Sequence, residues 1–261
     1  MDRVRAKKHL GQHFLKDLNI AERITTSMGA EAPKMVLEIG PGMGVLTQFL
    51  LKNKELDLHL VEIDRASVAY LKKKYPELEN KIVEGDFLRM DLAKQFSEPF
   101  AVIGNFPYNI SSQILFKLIE NKDLIPELVG MFQKEVAERV AAGPGSKTYG
   151  VISVLLQAYY NIDYLFTVHE NVFDPPPKVK SGVIRVYRND RDKLPCDEKL
   201  FKRIVKVGFN QRRKTLSNSL KSILLDSKPQ NEVFRKRPEQ LSVQEFIELT
   251  NLIEKLIAEK S

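Results

Sequence analysis

The sequence predicts an α/β fold in which an open, mostly parallel, doubly wound sheet is followed by a small all-helical C-terminal domain. Two observations carry that expectation. From residue 35 onward, short β-branched runs alternate with stretches of helical apolar spacing, the rhythm of successive βαβ units. Past Val186 the strand-like runs stop, and a charged linker, YRNDRDKLPCDE, opens onto segments whose apolar residues recur only at helical spacing. A chain of 261 residues holds one substantial core and a smaller appendage, and the change of texture divides it into residues 1–190 and 191–261.

The strands are expected at MVLEIG (35–40), LHLVEID (58–64), KIVEGD (81–86), AVIGN (101–105) and ELVGMF (127–132). Between and after them, segments 45–53, 66–75, 112–121, 133–142 and 148–160 have the length and spacing of crossover helices, with right-handed connections as the default. Two further extended segments, near 163–168 and 183–188, are expected to close the sheet edge as a hairpin. They are joined by FDPPPKVKSG, whose prolines at 175–177 exclude a central strand. Segments 198–208, 214–225, 230–235 and 242–258 supply the helices of the second domain. No internal repeat or low-complexity tract interrupts this plan.

Composition excludes several classes of function. Hydrophobic residues make up 43% and charged residues 29%, and no apolar run approaches the roughly 18 residues that a membrane span needs. The opening MDRVRAKKHLGQHFL is basic but has no long apolar stretch or small-residue cleavage site, so a cytoplasmic chain is expected. The single cysteine, Cys196, rules out an intramolecular disulfide and a multi-cysteine zinc site. His9 and His13 are separated by Gly11 and have no third ligand nearby, so no metal is expected. The net charge of +7 points to a polyanionic partner.

EIGPGMGVLT (38–47) places Gly40, Gly42 and Gly44 directly after the first strand and before a helix, where backbone approaches a ligand closely. The pattern is acidic-x-G-x-G-x-G rather than the dinucleotide G-x-G-x-x-G, and it resembles motif I of class I (Rossmann-like) S-adenosylmethionine-dependent methyltransferases. That cofactor has no pyrophosphate and carries cationic sulfonium and amino groups, so an acidic residue such as Glu38 suits the loop. Glu62, twenty residues after Gly42 and at the end of the second strand, is the expected ribose acceptor. Asp86 is placed to accept from the adenine amino group, with Ile63 and Phe87 as apolar walls.

At the end of the fourth strand stands GNFPY (104–108), on the carboxyl edge where α/β sheets meet their ligands. It resembles motif IV of amino-methyltransferases. The resemblance assigns the Asn105 side-chain carbonyl and a backbone carbonyl, at 106 or at Pro107, as acceptors for the two hydrogens of an adenine N6 amine. Tyr108 stacks on the base. Two acceptors favour pyramidal nitrogen and aim its lone pair, which is catalysis by orientation and electrostatics. The base must leave its stack to be reached, and Phe173 is the candidate for a second aromatic face.

HLGQHFL (9–15), EIGPGMGVLT, GNFPYNISS (104–112), QKEVAERVAAGPGSKTYG (133–150), FDPPPKVKSG (173–182) and FNQRRKTLSNSL (209–220) together resemble the ribosomal RNA adenine dimethyltransferases over nearly the whole chain. The resemblance implies dimethylation of two adjacent adenosines in the 3′-terminal hairpin loop of 16S rRNA, on the small ribosomal subunit; the chain is expected to be a monomer, although its oligomeric state is not written in the sequence. The resemblance also implies that His13 and Leu15 belong to an N-terminal segment covering the cofactor. Relatives with asparagine at the His13 position place any contact there on the backbone. The macrolide-resistance methyltransferases of the large subunit share the glycine loop and Asn-x-Pro-Tyr; the triple proline and QRRKTL with RPEQLSVQEF (237–246) favour the small-subunit branch. A non-enzymatic role in ribosome assembly or transcription is the alternative from another class. The run KRIVKVGFNQRRKTLSNSLK, with Lys202, Arg203, Lys206, Arg212, Arg213, Lys214 and Lys221, contains no acid. It is the expected phosphate-binding surface, joined by Arg3, Arg5, Lys7 and Lys8.

Overall fold

The computed structural model describes residues 4–224 and 230–259. In chain order the elements are β1 (Phe14–Leu15), α1 (Leu18–Thr25), β2 (Met35–Ile39), α2 (Thr47–Leu50), β3 (Asp57–Glu62), α3 (Arg65–Lys74), β4 (Ile82–Glu84), α4 (Leu92–Gln95), β5 (Ala101–Asn105) and α5 (Ser111–Glu120). They continue with β6 (Glu127–Gln133), α6 (Lys134–Ala141), α7 (Val151–Gln157), β7 (Tyr160–Val168), β8 (Phe173–Asp174), β9 (Ser181–Arg188), α8 (Glu198–Asn210), α9 (Leu216–Ser219) and α10 (Val243–Ala258).

One seven-stranded sheet runs in the order β4-β3-β2-β5-β6-β9-β7, and β1 pairs with β8 in a separate two-stranded sheet. The pairs from β4 through β6 are parallel, while β6 and β9 are antiparallel. Parallel strands covered on both faces read as continuous apolar runs; accordingly Val36, Leu37, Val102, Ile103, Leu128 and Val129 are all at most 1% exposed. From β2 the chain steps outward to β3 and β4, then returns to lay β5 along the other side of β2. That reversal opens a crevice beyond the carboxyl ends of β2 and β5, the general ligand position of such sheets.

Short polar side chains start the helices. Asp17, Asp64 and Asp197 cap α1, α3 and α8 by accepting backbone N–H groups, and Ser242 with Glu245 forms a capping box on α10. α1 was not expected from the sequence; its eight residues follow Asp17 and bury only Ala21 and Ile24. The expected edge pair is present: the segments around 163–168 and 183–188 lie side by side as the last two strands of the sheet. β9 lies inside the sheet beside β6, β7 takes the edge, and β8 leaves the connection to pair with β1.

The chain forms two compact units, residues 1–138 with 161–188, and 139–160 with 189–261. The sequence placed 139–160 in the first domain. In the second unit α7 packs on α8 and α10, because Ile152, Val154, Leu155 and Leu156 are all buried and a helix apolar on every side needs cover all round. α8 buries Phe201, Ile204, Val205 and Gly208, and α10 buries Phe246, Ile247, Leu249, Thr250 and Ile253. The expected helix over 214–225 is only Leu216–Ser219, a segment rich in serine and asparagine that propagates helix poorly; Leu225 lies outside the described residues. Segment 230–235 is a 3-10 turn at Glu232–Arg235.

Candidate active site

A cavity of about 530 Å³ opens at the carboxyl ends of β2, β3, β4 and β5, a volume typical of small-molecule sites. His13, Leu15, Gly40, Gly42, Glu62, Ile63, Asp86, Phe87 and Asn105, the expected cofactor residues, all line it, as do Pro107 and Tyr108. Phe173 does not.

Gly40, Gly42 and Gly44 all have positive φ. At Gly42 the need for glycine is double: φ is +58°, and a Cβ there would lie 2.8 Å from Cε1 of Phe14. The Gly42 N–H donates to Glu62 Oε2 at 3.0 Å, and the Asp64 N–H donates to Oε1 at 2.9 Å. These bonds fix the carboxylate while leaving lone pairs for hydroxyl donors. Burial raises the Glu62 pKa above the usual carboxylate value, with the two backbone donors opposing it in part. Burial pushes Glu38 up to about 8, against a hydrogen bond from Thr47 Oγ1 at 2.6 Å. Asp86 accepts the Leu88 N–H at 2.9 Å, so it caps a turn as well as lining the cavity.

The N-terminal segment crosses this crevice and is fastened at several points. Lys7 Nζ lies 2.5 Å from Asp64 Oδ1, and Gln12 Nε2 reaches Oδ2 at 3.5 Å. Burial would raise the Asp64 carboxyl, but Lys7, the Ala66 N–H, Gln12 and Ser67 outweigh it and hold its pKa below the usual value. Farther along, β1 pairs with β8, and the His13 Nδ1 sits 2.8 Å from the Pro175 carbonyl. A carbonyl only accepts, so Nδ1 carries the proton. Lys7 therefore belongs to this fastening and not to the expected phosphate surface. Arg3 lies outside the described residues, while Arg5 and Lys8 are exposed.

Asn105 ends β5. A Cβ on Gly104 would meet the Phe106 ring at 2.7 Å and the Ile39 carbonyl at 2.8 Å, so glycine lets Phe106 fold back beneath the turn. The Asn105 Nδ2 donates to the His13 carbonyl at 3.0 Å, which commits the amide nitrogen and leaves Oδ1 as the group presented to a ligand. Of the two candidate backbone acceptors, the Pro107 carbonyl accepts from Ile110 N–H at 3.2 Å and Ser111 Oγ at 3.3 Å. Phe106 O has no hydrogen-bond donor among the described residues. Of the two, the Phe106 carbonyl is the one with uncommitted lone pairs. Tyr108 is half-buried, its ring 5.5 Å from that of His13 and tilted by 31°.

Phe173 is a correction. It pairs with Leu15 across the β1–β8 ladder and is 1% exposed within the same core cluster, so its ring fills the core and offers no face to a base. Arg212 is another. Its guanidinium donates to the Lys147 carbonyl at 2.6 Å and the Ser146 carbonyl at 2.8 Å and lies 3.9 Å from Glu239, pinning the 143–148 loop of the second unit. Arg203, Lys206, Arg213 and Lys214 are exposed, and Lys202 is half-buried. Among the described residues no His, Cys, Asp or Glu cluster could hold a metal, and no helix is long and apolar enough to cross a membrane.

Carboxyl groups that accept hydrogen bonds at the mouth of a glycine loop, Glu62 and Asp86, suit the hydroxyl and amino groups of a nucleoside better than a pyrophosphate. S-adenosylmethionine fits these residues: a Cβ on Gly40 would meet nothing within 4 Å, and Ile63 offers an apolar side chain that is 50% exposed at the cavity. The sheet order and this loop define a class I S-adenosylmethionine-dependent methyltransferase.

The chain belongs to the ribosomal RNA adenine dimethylase family, whose model matches residues 3–258. It is 61% identical over 260 residues to a ribosomal RNA small subunit methyltransferase A of Bacteroides thetaiotaomicron, covering 98% of this chain and 97% of that protein. A protein of the same name from Porphyromonas gingivalis is 57% identical, with 97% and 100% covered. Among solved structures, a dimethyladenosine transferase from Plasmodium falciparum superposes with a TM-score of 0.78 at 26% identity, over 94% of this chain and 98% of that one. The 23S rRNA methyltransferase ErmE gives 0.67 at 25% identity, over 91% and 99%.

Proposed function

We propose that this enzyme dimethylates the N6 amines of two adjacent adenosines in the 3′-terminal hairpin loop of 16S rRNA, acting as a monomer on the small ribosomal subunit in the cytoplasm during ribosome biogenesis. The observation that carries the chemistry is the orientation of Asn105: its amide nitrogen is held by the His13 carbonyl, so its oxygen is the acceptor for one N6 hydrogen. The Phe106 carbonyl accepts the other. Together they hold the nitrogen lone pair in line with its target without a titrating base, and the proton leaves to solvent. When bound, S-adenosylmethionine supplies an electrophilic methyl group on a sulfonium centre. Glu62 accepts from the ribose hydroxyls, Asp86 from the adenine amine, and Ile63 and Phe87 flank the ring. Leu15 and the His13 backbone cover the site, and Tyr108 stacks on the extruded base.

Exposed Arg203, Lys206, Arg213 and Lys214, with Lys202, contact RNA phosphates. The large-subunit reading has weaker support, since the 23S enzyme is 25% identical and the small-subunit relatives are 57% and 61% identical. Labelled methyl transfer to isolated subunits lacking the modification tests the choice. Small subunits are expected to take up label at the two adenosines; preferential labelling of large subunits would reverse the assignment.

A further inference from the structure

Tyr108 stands on a short 3-10 turn, Tyr108–Ile110, at the rim of the cavity. A turn of this kind fixes the Cα of a tyrosine but leaves its ring free to swing about two torsions. The ring's outer end is nonetheless held. Tyr108 Oη lies 2.6 Å from Oγ of Ser181, and Ser181 is the first residue of β9, 0% exposed. Strand pairing sets the place of that hydroxyl: Ser181 stands opposite Gln133 in the β6–β9 ladder, and the Lys134 N–H donates to the Lys180 carbonyl at 2.9 Å. The anchor is thus built into the sheet and not into the loop that carries Tyr108.

Among the described residues the phenol is the only hydrogen-bond partner of Ser181 Oγ. Burying a hydroxyl without a partner is costly, so the pair is mutually dependent. Burial raises the Tyr108 pKa, with the Ser181 hydrogen bond opposing it, so the phenol stays protonated at neutral pH and either oxygen can donate.

We infer that Ser181 is a positioning residue for methyl transfer: by holding the phenol oxygen it fixes the plane of the Tyr108 ring against which the extruded adenine lies. The inference rests on the reading of Tyr108 as the stacking face. It assigns the Tyr108 hydroxyl a purpose that stacking alone does not need.

The test is a double-mutant cycle on Ser181 and Tyr108, read by single-turnover methylation of unmodified small subunits at saturating S-adenosylmethionine. Ser181→Ala and Tyr108→Phe are each expected to slow methylation about tenfold, the equivalent of one buried hydrogen bond. The double variant should be no slower than either, because both remove the same contact. Ser181→Thr, which keeps the hydroxyl, should recover most of the rate, and methyl-donor affinity should be unchanged in all four. A wild-type rate for Ser181→Ala, or losses that multiply in the double variant, would overturn the inference. If Tyr108→Ala methylates at the wild-type rate, the stacking role itself is wrong, a result separate from the outcome at Ser181.

Discussion

At the scale of single residues, the site depends on how each polar group is already committed. Asn105 has given its nitrogen to the His13 carbonyl, so replacing it removes a preorganised acceptor. Asn105→Ala is expected to slow methylation about a hundredfold, the usual range for one such group, with RNA affinity little changed in a filter-binding assay because phosphate contacts dominate it. A near wild-type rate would remove Asn105 from the mechanism. Glu38 makes a pH-dependent claim. Burial lifts its folded value to about 8, far above that of an ordinary carboxyl. Its protonation therefore stabilises the fold fully below the unfolded value, and that contribution is lost as pH rises through about 8. Wild-type melting temperature should accordingly fall more steeply with rising pH than that of Glu38→Gln between about pH 5 and 8, and no more steeply above it. Parallel curves would contradict the assignment. Most residues that line the cavity were legible because each sits at a strand end in chain order. The burial of Phe173 was not, since a phenylalanine before prolines reads equally well as a loop aromatic or a core one.

Among elements, the long runs were the readable ones. AVIGN coincides with β5, and ELVGMF falls within β6, because a parallel strand buried on both faces leaves an uninterrupted apolar signature. Two-residue strands such as β1 and β8 leave none; they exist through tertiary pairing alone. The basic run divides in the same way. Its spacing on α8 was visible, yet nothing in the one-dimensional pattern separates Arg212, which grips the 146 and 147 carbonyls, from the adjacent Arg213. Arg212→Ala should therefore lower stability, by about 2 kcal/mol for the loss of charge-assisted hydrogen bonds, with little change in the salt dependence of RNA binding. Arg213→Ala and Lys214→Ala should each reduce the slope of log affinity against log salt by about 0.7 to 0.9 and leave the melting temperature alone. The reverse pattern would exchange their roles.

For the whole molecule, the sequence suggested two domains meeting once near residue 190, whereas the chain passes between its two units at 138/139, 160/161 and 188/189. Composition could not announce this, since α7 is as apolar as the strands around it. The order in which residues leave the ribosome then matters. The large sheet is complete once Arg188 has emerged, but α7 must wait for α8 and α10, the latter ending at Ala258. A nascent chain stalled after residue 190 is expected to protect β2 through β6 from a protease while being cut within 139–160; equal protection of both would show that α7 finds cover earlier. During synthesis, this protein thus holds a greasy helix in waiting until α10 has appeared, and a chain broken off before α8 would yield a product prone to aggregate.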